Sequence, residues 1–156
     1  MFEAFEEEFL KAKQIPPFRT EISLFHCGLG IAGQADLFGV APCGGLVIID
    51  WKRSKAIRED NWFTSMRSPI DHLPDCNRVH YQLQLNVYQL GVVAMFLCVL
   101  HPSQASYRVI EVVAMDEELD ALVSHARFSY GCQRGFRMDA RLHFPGLGRH
   151  LRSTLI

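Results

Sequence analysis

Two acidic residues and a lysine interrupt the most apolar part of this 156-residue chain. Asp36 stands in Gly33-Gln34-Ala35-Asp36-Leu37, and Asp50 and Lys52 stand in Ile48-Ile49-Asp50-Trp51-Lys52. On a strand, side chains two residues apart project from one face, so Asp50 and Lys52 share a face. The turn Pro42-Cys43-Gly44-Gly45 makes the two segments neighbours and can bring Asp36 beside Asp50. A carboxylate at the edge of an apolar sheet is costly when unpaired, and two together repel. A divalent cation answers both costs, and oxygen-only ligation with room for waters suits Mg2+ or Mn2+. A cation held by two carboxylates and a backbone carbonyl polarises a phosphate and acidifies water. A lysine two residues beyond the second acid can orient or deprotonate that water, or neutralise charge in the transition state. The same residues also read as an Asp50–Lys52 ion pair at a strand end with Asp36 capping a turn. The D-x-K tripeptide alone does not choose between these.

A second pattern lies in Tyr81-Gln82-Leu83-Gln84-Leu85-Asn86-Val87-Tyr88. His80, Gln84 and Tyr88 recur every fourth residue and share one helical face, beside an apolar stripe of Leu83, Val87 and Leu90. A Gln amide or a Tyr hydroxyl can serve a phosphate or a metal-ligating carboxylate. An ordinary amphipathic helix with a solvated polar side fits equally well. Arg53, Lys55 and Arg58 follow the Asp50–Lys52 segment closely enough to touch a phosphate backbone, or form a solvated charge run. Trp62 and Phe63 can stack on unpaired bases or simply pack. His26, His72 and His101 are unclustered in sequence and read as surface or capping residues.

These residues need elements to hold them. Phe2, Phe5 and Phe9, with glutamates between, predict a short helix over 1–13, ended by Ile15-Pro16-Pro17. Thr20–Cys27, Ile31–Val40 and Leu46–Arg53 read as three strands joined by Gly/Pro turns, an antiparallel meander. The run Leu46-Val47-Ile48-Ile49 is apolar on both faces, as a covered central strand should be. Ser54–Arg78 is polar and irregular, a long loop or broken helix of the kind that is usually functional or mobile. His80–Leu90 reads as a helix, Val92–Leu100 and Tyr107–Val113 as strands. Met115–Tyr130 reads as an amphipathic helix with Asp116, Glu117 and Glu118 in its first turn. The expected fold is α/β: one domain over 1–156 with a central mixed β-sheet flanked by helices, an N-terminal helical segment (1–18) and a basic C-terminal tail (132–156).

Composition bounds the rest. Half-hydrophobic and one-fifth charged residues are ordinary for a folded domain. No apolar run approaches the ~18–20 residues that cross a bilayer, so no membrane partner is expected. MFEAFEEEFLKAK lacks the basic and apolar regions of a signal peptide. The five cysteines (Cys27, Cys43, Cys76, Cys98, Cys132) include no CxxC and read as reduced thiols, which points to an intracellular site, cytoplasmic or nuclear. A net charge of −1 is not that of a simple DNA-coating protein, but an active site that grips phosphate through cations need not be basic.

Taken together, these segments resemble the PD-(D/E)XK nuclease superfamily, in its RecB/Cas4-like and phage-exonuclease-like branch. The matching residues are Arg19-Thr20-Glu21, Gly30-Ile31-Ala32-Gly33-Gln34-Ala35-Asp36, Ile48-Ile49-Asp50-Trp51-Lys52-Arg53 and Gln84-Leu85-Asn86-Val87-Tyr88, the last a Q-x-x-x-Y element. The resemblance implies a restriction-endonuclease-like core and a Mg2+-dependent deoxyribonuclease, exo- or endonucleolytic, with DNA as partner and RNA still open. It implies that Asp36 and Asp50 ligate metal, that Lys52 is the catalytic lysine, and that the Trp51 carbonyl completes the metal site. Gln84 and Tyr88 would support substrate or the site, beside Arg53, Lys55 and His80 as substrate contacts suggested by their own placement, and Glu21 matches a frequently acidic position that lies near the metal or only orients its neighbours. The chain departs from the pattern in its short N-terminal segment, where Glu6, Glu7 or Glu8 would have to stand in for a further ligand. It departs too in a helix cut short at Gln89-Leu90-Gly91, and in lacking the Cas4-type cysteine cluster. Those departures carry the alternative expectation, a catalytically degenerate module that binds nucleic acid or a partner protein.

Overall fold

A computed structural model describes residues 1–26, 31–88 and 92–130. The turn at Gly28–Gly30, Cys27, the Gln89-Leu90-Gly91 segment and the basic tail from Cys132 lie outside the described residues. The fold is α/β, a five-stranded mixed sheet flanked by helices. Strands β1 (Pro17–His26), β2 (Ile31–Val40), β3 (Leu46–Lys52), β4 (Val92–Val99) and β5 (Arg108–Val112) lie in that order across the sheet. β1, β2 and β3 form the antiparallel meander; β3 and β4 are parallel, and β5 returns antiparallel. The parallel step needs a crossover, which consists of a long irregular connection and the helix Asn77–Val87.

That helix, here α2, covers one face of the sheet. Leu85 is fully buried there with Phe38, Ile48, Leu97 and Val99. The other face is covered by α1 (Phe2–Phe5), which runs straight into a π-helical segment (Glu6–Lys11). The wider π turn sets Phe5, Phe9 and Leu10 side by side against Leu37, Val47, Ile49 and Phe96. Phe9 and Leu10 are consecutive yet both buried, which the expected 3.6-residue period would not allow so readily. α3 (Asp116–Tyr130) follows β5 with three acids in its first turn. Asn86, 1% exposed, ties α2 to the segment before α3: its Nδ2 donates to the Val113 carbonyl (3.0 Å) and its Oδ1 accepts from the Met115 N–H (2.8 Å).

One irregularity bears on the site. Along β2, Gly33 abuts Tyr88 of the α2 side and Ala35 joins the same core, whereas Leu37 faces the N-terminal helix and Phe38 is back against α2. Alternation therefore slips between Ala35 and Leu37. β1 slips with it, because Ile22 and Leu24 pack on the α2-side core and the register is unbroken from Thr20↔Leu37 to Ile22↔Ala35. Both strands turn over together at Glu21 and Asp36. Glu21 makes the turn possible at φ 52°, a left-handed conformation that costs a non-glycine residue about 1–3 kcal/mol.

Candidate metal and phosphate site

Pairing of β2 with β3 runs from Val40↔Leu46 to Leu37↔Ile49 and ends there. Continued by one step, the register sets Asp36 opposite Asp50. Where the backbone ladder stops, the Asp36 side chain takes over: its Oδ2 accepts the Trp51 N–H at 2.8 Å. N–H and C=O of one strand residue point to the same side, so the Trp51 carbonyl is aimed along that edge as well. The Trp51 indole points away, its ring centroid 5.1 Å from Phe5 and 5.6 Å from Phe2 in edge contacts that brace β3 from behind.

Asp50 lies on the α2-facing side and is 2% exposed. Its Oδ2 is 2.5 Å from Lys52 Nζ as an ion pair, yet the oxygen has no well-aligned hydrogen bond. Burial pushes the Asp50 carboxyl above the usual carboxylate range; Lys52 pulls it down and the Asp36 charge pushes it further up, with a net upward shift. Lys52 is gripped from three sides, by Asp50, by Gln84 Oε1 at 2.9 Å and by the Tyr81 ring, 4.5 Å from Nζ. Tyr88 stands at the end of α2 with its hydroxyl in the space that a side chain on Gly33 would fill.

Asp36, Asp50, Trp51, Lys52 and Gln84 thus gather where β2, β3 and α2 meet, while Tyr88 meets Gly33 three residues before Asp36. Others from the sequence do not join them. His80 is exposed and pairs with Asp75 at 2.7 Å, at the start of α2. Arg53 is exposed, and Lys55 lines a separate groove in the β3–α2 connection. Glu21 sits across from Asp36 in β1, but its side chain is exposed. Glu7 pairs with Lys11, and Glu8 accepts from the Tyr107 hydroxyl at 3.1 Å, both on the helix behind the sheet. Tyr81 was not singled out by spacing; its place three positions before Gln84, a neighbour on the helix surface, is the one signal for it.

Among the described residues no cluster of three or more His, Cys, Asp or Glu side chains is close enough to hold a metal ion. The donors at hand are two carboxylates and one carbonyl, all oxygen. That all-oxygen set fits a small hard cation that keeps several waters, with the buried Asp50 carboxylate countered within the chain by the Lys52 ammonium. It does not fit zinc in a closed structural site.

No family model matches this chain, and no curated protein sequence matches it. Among solved structures it is similar to one described as "Crystal structure of SSO0001", at 17% identity and a TM-score of 0.44, over 85% of this chain and 58% of that one. The chain therefore spans little more than half the length of that neighbour, and a likeness so weak carries no argument about activity. No helix among the described residues is long and apolar enough to cross a membrane.

Proposed function

We propose that this protein is a metal-dependent nuclease that hydrolyses DNA phosphodiester bonds. The observation that carries the reading is the convergence of Asp36 and Asp50 at the end of the β2–β3 ladder, under a lysine fixed by Gln84 and Tyr81. Asp36, Asp50 and the Trp51 carbonyl would hold Mg2+ or Mn2+, which supplies Lewis acidity and acidifies water when bound. Lys52 does the chain's own part of the chemistry. Its ammonium lies on the same face as Asp50, where it orients the attacking water and offsets charge on a phosphoryl oxygen. Gln84 and Tyr81 keep it there by limiting the rotamers of a flexible stem.

The test is cleavage of labelled single- and double-stranded DNA with Mg2+ or Mn2+, beside EDTA controls. Asp50→Ala and Lys52→Ala should each lower the rate by about a hundredfold or more. Cutting that survives Asp50→Ala would show that another site does the work. One observation favours a catalytically degenerate binding module: the Lys52 ammonium already sits on Asp50, which makes a self-contained buried pair. DNA binding without cutting under any divalent cation would select that second reading.

A further inference from the structure

The connection from β3 to α2 contains a groove of about 490 Å³ that begins at Ser54, two residues past Lys52. Trp62 and Phe63 line it and are 86% and 94% exposed, so neither is spent on the core. Yet the loop beneath them is built firmly. Asn61 Nδ2 donates to the Asp75 carbonyl (2.7 Å) and to Thr64 Oγ1, and Asn61 Oδ1 accepts the Phe63 N–H. The Asp75 N–H donates to the Thr64 carbonyl, Ser65 bridges Pro74, and Asn77 Oδ1 accepts the Arg58 N–H at 2.7 Å. Ile70 and Cys76 anchor the loop on Val79 and Leu83 of α2. Two adjacent aromatics held bare on an ordered scaffold are arranged for a partner, since the ordering cost of binding is already met.

We propose that this loop is the docking surface for an unpaired nucleic acid strand, with bases stacked on Trp62 and Phe63. The proposal rests on the nuclease reading for the identity of its occupant. Cations are at hand for the phosphates. Lys55 and Arg58 line the groove, and neither enters an ion pair among the described residues. Two acids line it as well, Asp75, which lies 2.7 Å from His80, and the exposed Asp60, so the groove as a whole is balanced in charge and the aromatics carry the selectivity. Cations beside aromatics suit a chain of phosphates bearing flat bases. A duplex hides the faces of its bases, so only a single strand can use both aromatics at once. The groove is separate from the Asp36–Asp50 carboxylates but begins two residues past Lys52 along the chain, so the same connection carries both.

Fluorescence anisotropy of labelled oligo(dT) in EDTA measures this on the full chain without cleavage. Trp62→Leu/Phe63→Leu keeps apolar bulk and removes stacking; it should weaken binding about tenfold or more. Trp62→Phe/Phe63→Tyr should bind close to the wild type. Equal melting temperatures of the variants check that the fold is intact. The proposal is overturned if the leucine pair binds as well as the wild type, or if the wild type binds blunt duplex as tightly as oligo(dT) or fails to bind oligo(dT). It is also overturned if the indole emission of the wild type shifts blue on phosphatidylglycerol vesicles and not on oligo(dT). The nuclease reading fails separately: wild type that shows the stacking dependence in EDTA but cuts nothing in Mn2+ loses that reading alone.

Discussion

Asp50 is a carboxylate that the folded chain holds at a loss. It is buried, and its proton affinity is raised chiefly by burial, which the contact and charge of Lys52 offset only in part. Because its folded pKa lies above the unfolded one, the folded state binds more protons in the interval between them. Stability therefore falls as pH rises through that interval, and the full loss is present above the folded pKa. Without added metal, the melting temperature of Asp50→Asn relative to the wild type should accordingly rise as pH rises through that interval, set against the loss of the Lys52 partner. That difference should fall back on acidification toward the usual carboxylate range, as followed by thermal melts across pH. Added Mn2+ should raise the wild-type melting temperature and leave that of Asp50→Asn unmoved. A difference between wild type and variant that stays constant across pH without metal would show that Lys52 compensates Asp50 in full. The thiols make a second contrast. Cys98 is buried and its thiol is pushed up to about 12, whereas Cys43 is exposed. Peptide mapping after brief native alkylation should find Cys43 modified and Cys98 untouched.

At the scale of elements, the joints matter most. Asn86→Ala would leave the Val113 carbonyl and the Met115 N–H without their partner at the α2–α3 joint. A loss of about 3 kcal/mol is expected in urea titrations. Phe5, fully buried between Phe9, Trp51 and Tyr107, should cost about 4 kcal/mol as Ala, with a change in Trp51 emission as its brace is lost. The strands were legible in the sequence because Gly/Pro turns bound them and their apolar runs are short; β2 spans Ile31–Val40 as expected. The shared face of Asp50 and Lys52 follows from the two-residue period alone. Other features were not legible. The Lys52–Gln84 bond joins residues 32 apart through a crossover that no local spacing encodes. The turnover at Glu21 carries no glycine to announce it, and the bare Trp62–Phe63 pair looks in sequence like any aromatics that could pack.

For the molecule as a whole, the sheet is sandwiched between two unlike covers. α2 brings the polar groups of the site with its apolar stripe, while the N-terminal helix brings packing, aromatic contacts and the Glu8–Tyr107 hydrogen bond. β3 and β4 at the centre are buried on both sides, and each cover depends on them. Unfolding should be one cooperative step, with far-UV circular dichroism and tryptophan emission tracing the same curve in urea. Two separate transitions would mean that the aromatic cover melts apart from the sheet.

The turnover of β1 and β2 at Glu21 and Asp36 also divides the sheet mechanically. Inward of that pair the strands belong to a five-stranded slab; outward, Ile22–His26 and Ile31–Ala35 form a two-stranded arm that has left β3 and leans on Tyr88. The pivot of the arm is the residue whose carboxylate grips β3 and would grip the cation. A load on the arm, such as a bound strand pressing on its outer end, would thus reach β3 through Asp36, while Gly33 and Ala35 pass the rest to the α2 side. Under the proposed function, leverage and ligation would share that side chain.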